Sequence, residues 1–183
     1  MIGLFIGSFN PITKAHIEIC DKLKDRFEKI ILVPVNSNDK HLVSLKDRIE
    51  MLKIIVRKKS YLEISNIMKN YSYLNYRIID LLNDQYKNIN IIMGSDLLEK
   101  FDKFDNYNYL LEKYMFTIVP RDNIDVKKII NNKYQDYLDK FSILDYHSDI
   151  SSTMAKECLK NNLDTKDILD EDILNYIKEH NLY

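Results

Sequence analysis

The segment that decides the fold lies near the N-terminus and reads Gly7-Ser8-Phe9-Asn10-Pro11-Ile12-Thr13-Lys14-Ala15-His16. The apolar run Ile2–Ile6 precedes it and is typical of a buried strand, whereas apolar residues at helical spacing follow it, at Ile17, Cys20, Leu23 and Phe27. The pattern predicts a strand, a turn and a helix whose first turn carries His16. Unpaired N–H groups and the positive end of the helix dipole make such a terminus suited to phosphate.

Thr13 and His16 lie three residues apart, so a helix places both side chains on one face beside that phosphate site. Gly7 lets the backbone approach a ligand closely, because it has no side chain. Spacing alone fits an ordinary strand–turn–helix with a solvent-exposed histidine equally well. Other parts of the chain are needed to decide between these two interpretations.

The composition indicates one folded domain spanning residues 1–183. The 183 residues leave room for a sizeable core, and 45% of them are hydrophobic, which is too many for a disordered chain. A net charge of −1 gives no basic character for binding nucleic acid or a membrane. The apolar start is too short for a signal peptide, and no run approaches the roughly 20 residues of a membrane span, so a cytoplasmic protein is expected.

Metal and disulfide chemistry find no support in the sequence. Cys20 and Cys158 fall in predicted helices, where we interpret them as small core residues in a reducing cytosol. No histidine–cysteine cluster has zinc spacing, and we interpret His147 beside Asp149 as a polar loop residue. We therefore expect no metal site built from protein side chains alone.

Apolar runs that alternate with amphipathic ones predict the secondary structure. The predicted strands are Ile2–Ile6, Lys29–Val33, Tyr61–Ile64, Ile89–Met93, Met115–Val119 and Phe141–Leu144. The predicted helices are Thr13–Arg26, Ser44–Lys58, Tyr73–Tyr86, Asp96–Phe104, Asn106–Lys113, Asp125–Tyr137, Ser152–Lys160 and Asp172–His180. This alternation indicates an α/β protein with a Rossmann-like, doubly wound, mostly parallel sheet and helices on both faces. An eight-stranded barrel needs about 250 residues and is excluded.

The carboxyl ends of the predicted strands mark the expected ligand site, because ligands bind there in doubly wound folds. The loops at that edge span Gly7–Ile12, Pro34–Val43, Gly94–Asp96, Pro120–Asn123 and Asp145–Ser151. The last of them leads into a second distinctive segment, Asp149-Ile150-Ser151-Ser152-Thr153-Met154-Ala155-Lys156. Ser151 is a good N-cap, three hydroxyls at a helix N-terminus suit phosphate, and Lys156 lies one turn further on. A plain serine cap with a solvated lysine is the alternative interpretation.

Both segments resemble motifs of one enzyme superfamily. The first resembles the G-x-F-x-P-x-[TH]-x-x-H signature of nucleotidylyltransferases, through Gly7, Phe9, Pro11, Thr13 and His16. The second resembles the I-S-S-T-x-x-R motif that closes the active site of nicotinate-nucleotide adenylyltransferases. Lys156 stands where that motif has arginine, so the charge is kept but the planar, bidentate fork is lost. The resemblance implies catalytic roles for His16, Thr13 and Lys156.

Weaker matches in the same order extend the resemblance along the chain. Gly94-Ser95-Asp96-Leu97 resembles the family's G-[AS]-D-x-L, in which the glycine packs against adenosine and the aspartate accepts from ribose hydroxyls. Lys40 and Arg121 follow strands where the family places basic residues, and Arg48 with Met51 fits its R-x-x-M pattern. The resemblance implies ATP contacts from Gly7, Ser8, Phe9, Thr13, His16, Gly94, Asp96, Ile150, Ser151, Ser152, Thr153 and Lys156.

The pocket for the second substrate shows the poorest match. The segment Ser72-Tyr73-Leu74-Asn75-Tyr76-Arg77 fits only half of the family's S-Y-T-x-x-T pattern, because both threonines are absent. Phe104 stands where a tryptophan usually follows, and both Tyr73 and Phe104 fit either stacking on an aromatic ring or packing in the core. The resemblance implies that the second substrate contacts Asn10, Lys40, Arg48, Ser72, Tyr73, Phe104 and Arg121.

The resemblance implies adenylyl transfer from ATP to a pyridine mononucleotide, nicotinate or nicotinamide, in NAD biosynthesis. A phosphate oxygen attacks the α-phosphorus and pyrophosphate leaves, so catalysis requires positioning and charge stabilisation. Mg²⁺ is expected to arrive with ATP. Two alternatives stay open: a pantetheine-phosphate adenylyltransferase, whose usual sequence is closer at Gly7–Thr13, and a nucleotide-binding sensor without turnover, which the change at Lys156 favours. The sequence does not fix an oligomeric state, and a homo-oligomer is compatible with it.

Overall fold

The computed structural model describes residues 1–36, 42–121 and 124–183. The strands are β1 (Ile2–Gly7), β2 (Lys29–Pro34), β3 (Leu62–Ile64), β4 (Ile89–Gly94), β5 (Met115–Val119) and β6 (Phe141–Ile143). The helices are α1 (Lys14–Leu23), α2 (Leu45–Val56), α3 (Tyr76–Tyr86), α4 (Ser95–Leu98), α5 (Tyr107–Lys113), α6 (Val126–Lys133), α7 (Ser152–Lys160) and α8 (Glu171–Glu179). Short 3₁₀ turns cover Ile67–Asn70, Phe101–Lys103 and Gln135–Lys140.

The six strands form one parallel sheet in the order β3-β2-β1-β4-β5-β6. This topology confirms the predicted Rossmann-like α/β fold. The chain adds β2 and β3 on one side of β1 and then crosses to add β4 on the other side. The loops after β1 and β4 therefore lead in opposite directions, and they leave a crevice at the carboxyl edge between these two strands.

Each face of the sheet is covered by its own hydrophobic core. Side chains alternate along a strand, so Leu4 and Ile6 of β1 enter one core and Phe5 enters the other. The first core contains apolar residues of α3, α4, α5 and α6. The second contains those of α1, α2, α7 and α8. The helices that carry both distinctive sequence segments, α1 and α7, thus pack on the same face.

Two predicted helices end early because an aromatic side chain turns into the first core. The predicted helix Asp96–Phe104 ends at Leu98, and Phe101 in the following 3₁₀ turn is buried with its ring 5.8 Å from that of Phe104. The predicted helix Asp125–Tyr137 ends at Lys133, and the hydroxyl of the buried Tyr134 donates to the carbonyl of Leu98 at 3.0 Å. In the part of the chain that the structure describes, no helix is long and apolar enough to cross a membrane.

Candidate active site

A cleft of about 640 Å³ opens at the carboxyl edge of the sheet, beside the crevice between β1 and β4. The lining residues that the sequence predicts are Gly7, Ser8, Asn10, His16, Gly94, Asp96, Arg121, Ser151, Ser152, Thr153 and Lys156. The cleft is also lined by Phe5, Ile6, Val35 and Leu97, which the sequence analysis did not select. Segments far apart in the chain, including both distinctive motifs, therefore meet around one space.

Thr13 contacts His16 at the start of α1. Thr13 is the fully buried N-cap residue, and its backbone N–H donates to Nδ1 of His16 at 3.2 Å. Its hydroxyl oxygen lies 2.8 Å from the same nitrogen. Because a backbone N–H can only donate, Nδ1 must be an acceptor, and the proton of the neutral ring then lies on Nε2.

The imidazole of His16 is neutral at physiological pH. Burial of the ring, with a smaller contribution from the positive charge of Arg121, lowers the pKa of His16 from its ordinary 6.5 to about 3. The ring is only 6% exposed, yet it borders the cleft. His16 can therefore offer an uncharged N–H donor to a ligand without first losing or gaining a proton.

Phe9 packs beneath His16 rather than lining the cleft. Its side chain is 1% exposed, and its ring meets the imidazole edge-on at 5.3 Å between centroids. The ring of Phe5 completes the group, at 5.4 Å from Phe9 and 6.0 Å from His16. Such close packing restricts the histidine to one rotamer.

The N-terminus of α7 is fixed against the first motif. The hydroxyl of Ser151 accepts from the backbone N–H of Met154 at 3.1 Å, which makes Ser151 the N-cap that the sequence predicts. The hydroxyl of Ser152 donates to the carbonyl of Pro11 at 2.8 Å. This bond joins the two predicted phosphate cradles, and Lys156, one turn further along α7, also lines the cleft.

Two charged side chains approach Gly94 closely and occupy the space that a Cβ atom would fill. A Cβ atom at this position would lie 2.3 Å from Oδ1 of Asp96 and 3.2 Å from Nε of Arg121. The hydroxyl of Ser95 accepts from the backbone N–H of Arg121 at 2.9 Å and so ties the end of β5 to the start of α4. Asp96 and Arg121 are therefore held at the same side of the cleft.

Arg48 is a buried residue of the scaffold. Its Nη1 donates to the carbonyls of Ser8 at 2.7 Å and Val35 at 2.8 Å, and its Nε donates to the carbonyl of Val43 at 3.2 Å. Its Nη2 donates to Oδ1 of Asn36 at 2.8 Å. Burial lowers the pKa of the guanidinium from its ordinary value. Arg48 fastens the loop after β1 to both ends of the loop after β2.

Among the described residues, the cleft lining does not include Thr13, Ser72, Tyr73, Phe104 or Ile150. Lys40 falls outside the described part of the chain. Tyr73 is 69% exposed, Ser72 is exposed as well, and Phe104 packs against the first core. The carbonyl of Ser72 accepts from Nδ2 of Asn36 at 3.2 Å, which links this segment to Arg48. Ile150 borders a smaller neighbouring cavity, beside the main cleft.

Three residues near the cleft were not predicted from the sequence. Ser95 was quoted only as part of a motif, and Asn36 lies in a loop that was predicted to border the site. Both residues follow the end of a strand, and this position could have indicated that they lie near the site. Tyr183, whose hydroxyl donates to Oδ1 of Asn10 at 2.7 Å, gave no signal at all, because it follows the last predicted helix and belongs to no motif.

The chain is similar to proteins of one enzyme family over most or all of its length. A family model described as cytidylyltransferase-like matches residues 4–158. The probable nicotinate-nucleotide adenylyltransferase of Acholeplasma laidlawii is 30% identical, covering 100% of this chain and 97% of that protein. The corresponding protein of Aliarcobacter butzleri is 33% identical and covers 97% of each. The structure of Plasmodium falciparum nicotinic acid mononucleotide adenylyltransferase complexed with NaAD aligns with a TM-score of 0.82 at 25% identity, covering 100% of this chain and 96% of that one.

Proposed function

The chain belongs to the nicotinate-nucleotide adenylyltransferase family, within the cytidylyltransferase-like proteins, and we propose that its cleft transfers the adenylyl group of ATP to nicotinate mononucleotide. The observation that carries the proposal is the placement of a neutral His16, fixed through Nδ1, in a cleft that both phosphate-binding segments line. Relatives named for this activity align with the whole of this chain.

The reaction forms one phosphorus–oxygen bond and breaks another. A phosphate oxygen of the mononucleotide attacks the α-phosphorus of ATP, and the bond to the β-phosphate breaks to release pyrophosphate. The attacking oxygen is already ionised, so no general base is required. The Nε2–H of His16 then donates to an α-phosphate oxygen as negative charge builds up, which is how a preorganised donor lowers a barrier. Thr13 acts on the reaction through His16, because it holds Nδ1.

The ATP side of the cleft is assigned to the β4–β5 half of the sheet. Gly94 and Asp96 follow β4, Arg121 follows β5, and the first turn of α7 closes the same side. Free N–H groups at the start of α7, together with Lys156, suit a triphosphate. The proximity of Asp96 to Arg121 supports a site where ribose hydroxyls and the base are held between a carboxylate and a planar cation.

The acceptor side is assigned to the β2–β3 half. Asn10 and Val35 line the cleft there. Asn36 accepts from Arg48 through Oδ1 and donates from Nδ2 to the carbonyl of Ser72. We propose that Arg48 acts on the acceptor indirectly, by shaping these loops, because its donors are directed to protein acceptors. Ser72 and Tyr73 stay proposed contacts at the outer rim. The roles of Lys40 and Phe104 remain predictions from the resemblance.

Mg²⁺ is proposed to arrive with the triphosphate. Within residues 1–36, 42–121 and 124–183, no group of three or more His, Cys, Asp or Glu is placed to hold a metal, and Asp96 is the carboxylate that lines the cleft. This donor set fits an ion held mainly by phosphate oxygens and water. A bound ion would supply neutralisation of charge on the phosphates. The protein's part is to hold the nucleotide with His16 and Lys156.

A cytoplasmic location, with no nucleic acid or membrane partner, completes the proposal, and a homo-oligomer stays compatible with it. The cysteines support a reducing compartment, because Cys20 and Cys158 are both free and Cys20 is buried. Burial also raises the pKa of the Cys20 thiol, so this cysteine stays unreactive.

The choice of acceptor is tested by pyrophosphate release with ATP and three candidate acceptors. We expect kcat/KM for nicotinate mononucleotide to exceed that for nicotinamide mononucleotide by about tenfold or more, because the relatives of this chain are named for the nicotinate substrate and a pocket that pairs with a carboxylate discriminates against an amide. Pantetheine phosphate should give only background release. A clear preference for pantetheine phosphate would overturn the proposed acceptor, and no turnover with any acceptor would favour a nucleotide-binding sensor.

A further inference from the structure

The chain after α8 turns sharply back towards the loop that follows β1. Asn181 adopts a left-handed conformation with φ of 49°. The N–H of Leu182 donates to the carbonyl of Ile177 at 3.0 Å, and the N–H of Asn181 donates to the carbonyl of Lys178 at 3.3 Å. This pair of bonds is a Schellman motif, which ends a helix and reverses the chain. The residue that follows the motif is Tyr183.

The hydroxyl of Tyr183 donates to a side chain of the cleft. It lies 2.7 Å from Oδ1 of Asn10, and the backbone N–H of Val43 donates to the same oxygen at 3.2 Å. Asn10 is 1% exposed and still borders the cleft. Because a backbone N–H can only donate, the Val43 bond identifies the amide atom that it meets as the oxygen. The N–H of Val43 thus sets the orientation of the Asn10 amide, and the hydroxyl of Tyr183, beyond the last helix, holds the same oxygen by a second hydrogen bond.

We propose that Tyr183 is a positioning residue for the acceptor side of the cleft. It touches no reacting atom. It fixes Asn10, which lies in the loop after β1 and is bonded to Val43 in the loop after β2, on the side where the mononucleotide is assigned. The ring of Tyr183 also packs on the second core, so a phenylalanine would keep that packing and remove the hydroxyl. This assignment rests on the proposed function for its kinetic readout, although the contact itself does not.

The test compares Tyr183→Phe with Tyr176→Phe in the full chain. Tyr176 is a matched control because it lies on α8, packs on the same core and donates its hydroxyl to Oδ1 of Asp47 at 3.1 Å, away from the cleft lining. Tyr183→Phe should raise the KM for nicotinate mononucleotide about three- to tenfold, the range expected for one neutral hydrogen bond. The KM for ATP and kcat should stay within about twofold of wild type, and Tyr176→Phe should leave all three constants there.

Hydrogen exchange of the Val43 amide supplies a readout that needs no activity. Loss of the phenol should loosen Asn10 and speed exchange at Val43 several-fold, while the Ser65 amide, which bonds to the carbonyl of Leu32, stays unchanged. Wild-type values for both KM and exchange, or an equal rise in KM for both substrates with a lower Tm, would overturn the proposal. An inactive wild-type chain would contradict the proposed function instead, and equilibrium binding of nicotinate mononucleotide together with Val43 exchange would then decide the role of Tyr183.

Discussion

At the scale of single residues, His16 is expected to act on the transition state more than on the bound substrate. His16→Ala removes one preorganised donor and should lower kcat about 10²- to 10³-fold. The KM for ATP should change far less, since much of the triphosphate binding is assigned to α7. Steady-state kinetics on the variant test this, with His180→Ala, at an exposed position after α8, as the matched control. A rise in KM at unchanged kcat would assign His16 to binding alone.

The protonation state of His16 can be measured separately from its kinetic effect. With a pKa of about 3, the ring stays neutral between about pH 5 and pH 8, so kcat should show no titration from this group in that interval. Nitrogen-15 NMR of labelled histidine should show Nδ1 without a proton and Nε2 with one. A protonated Nδ1 at pH 7 would contradict the hydrogen bond from the Thr13 amide.

Lys156 is expected to bind ATP by charge. It lines the cleft one turn into α7, and a charge-assisted hydrogen bond contributes about 1.5–3 kcal/mol. Lys156→Ala should therefore raise the KM for ATP about tenfold to a hundredfold, whereas Lys156→Arg should keep or improve ATP use. Lys160→Ala, one turn further along the same helix and outside the lining of the main cleft, is the control. Unchanged ATP kinetics in Lys156→Ala would show that this lysine lies on the helix surface without binding ATP.

At the scale of elements, one buried guanidinium of α2 holds the loops that shape the cleft. Arg48→Met keeps the apolar stem but leaves the carbonyls of Ser8, Val35 and Val43 short of a donor. Each unsatisfied buried acceptor costs about 1–3 kcal/mol, so unfolding in urea should show a loss of about 3 kcal/mol or more. Arg57→Met, at an exposed position just after α2, should change stability by less than about 0.5 kcal/mol. Equal, small losses would show that Arg48 does not hold these loops.

Hydropathy patterns predict the bounds of the strands better than the ends of the helices. Each predicted strand agrees with the structure to within one residue at either end, because buried parallel strands are short and uniformly apolar. The helix ends near Phe101 and Tyr134 could not be predicted. Both residues continue an apolar helical pattern, and only the aromatic contacts across the first core explain why the chain turns there. A local sequence pattern does not show contacts between residues that are far apart in the chain.

At the scale of the whole molecule, the sequence predicts those parts of the candidate site that lie directly after strands. The parallel topology brings the loops after β1, β4 and β5 to one edge, so Gly7, Gly94 and Arg121 converge as the sequence predicts. The contacts of Tyr183 and Arg48 were not predictable, because they depend on how distant helices pack. The family expectation drawn from the two motifs is confirmed by relatives that align with the full chain.

Adenylyl transfer can be tested by following the oxygen that attacks ATP. Nicotinate mononucleotide labelled with oxygen-18 in its phosphate is incubated with ATP, Mg²⁺ and the protein, and the products are analysed by mass spectrometry. Attack at the α-phosphorus keeps every labelled oxygen in the dinucleotide, and the released pyrophosphate carries none. Label in pyrophosphate or in free phosphate, or release of pyrophosphate without dinucleotide, would contradict adenylyl transfer in this cleft.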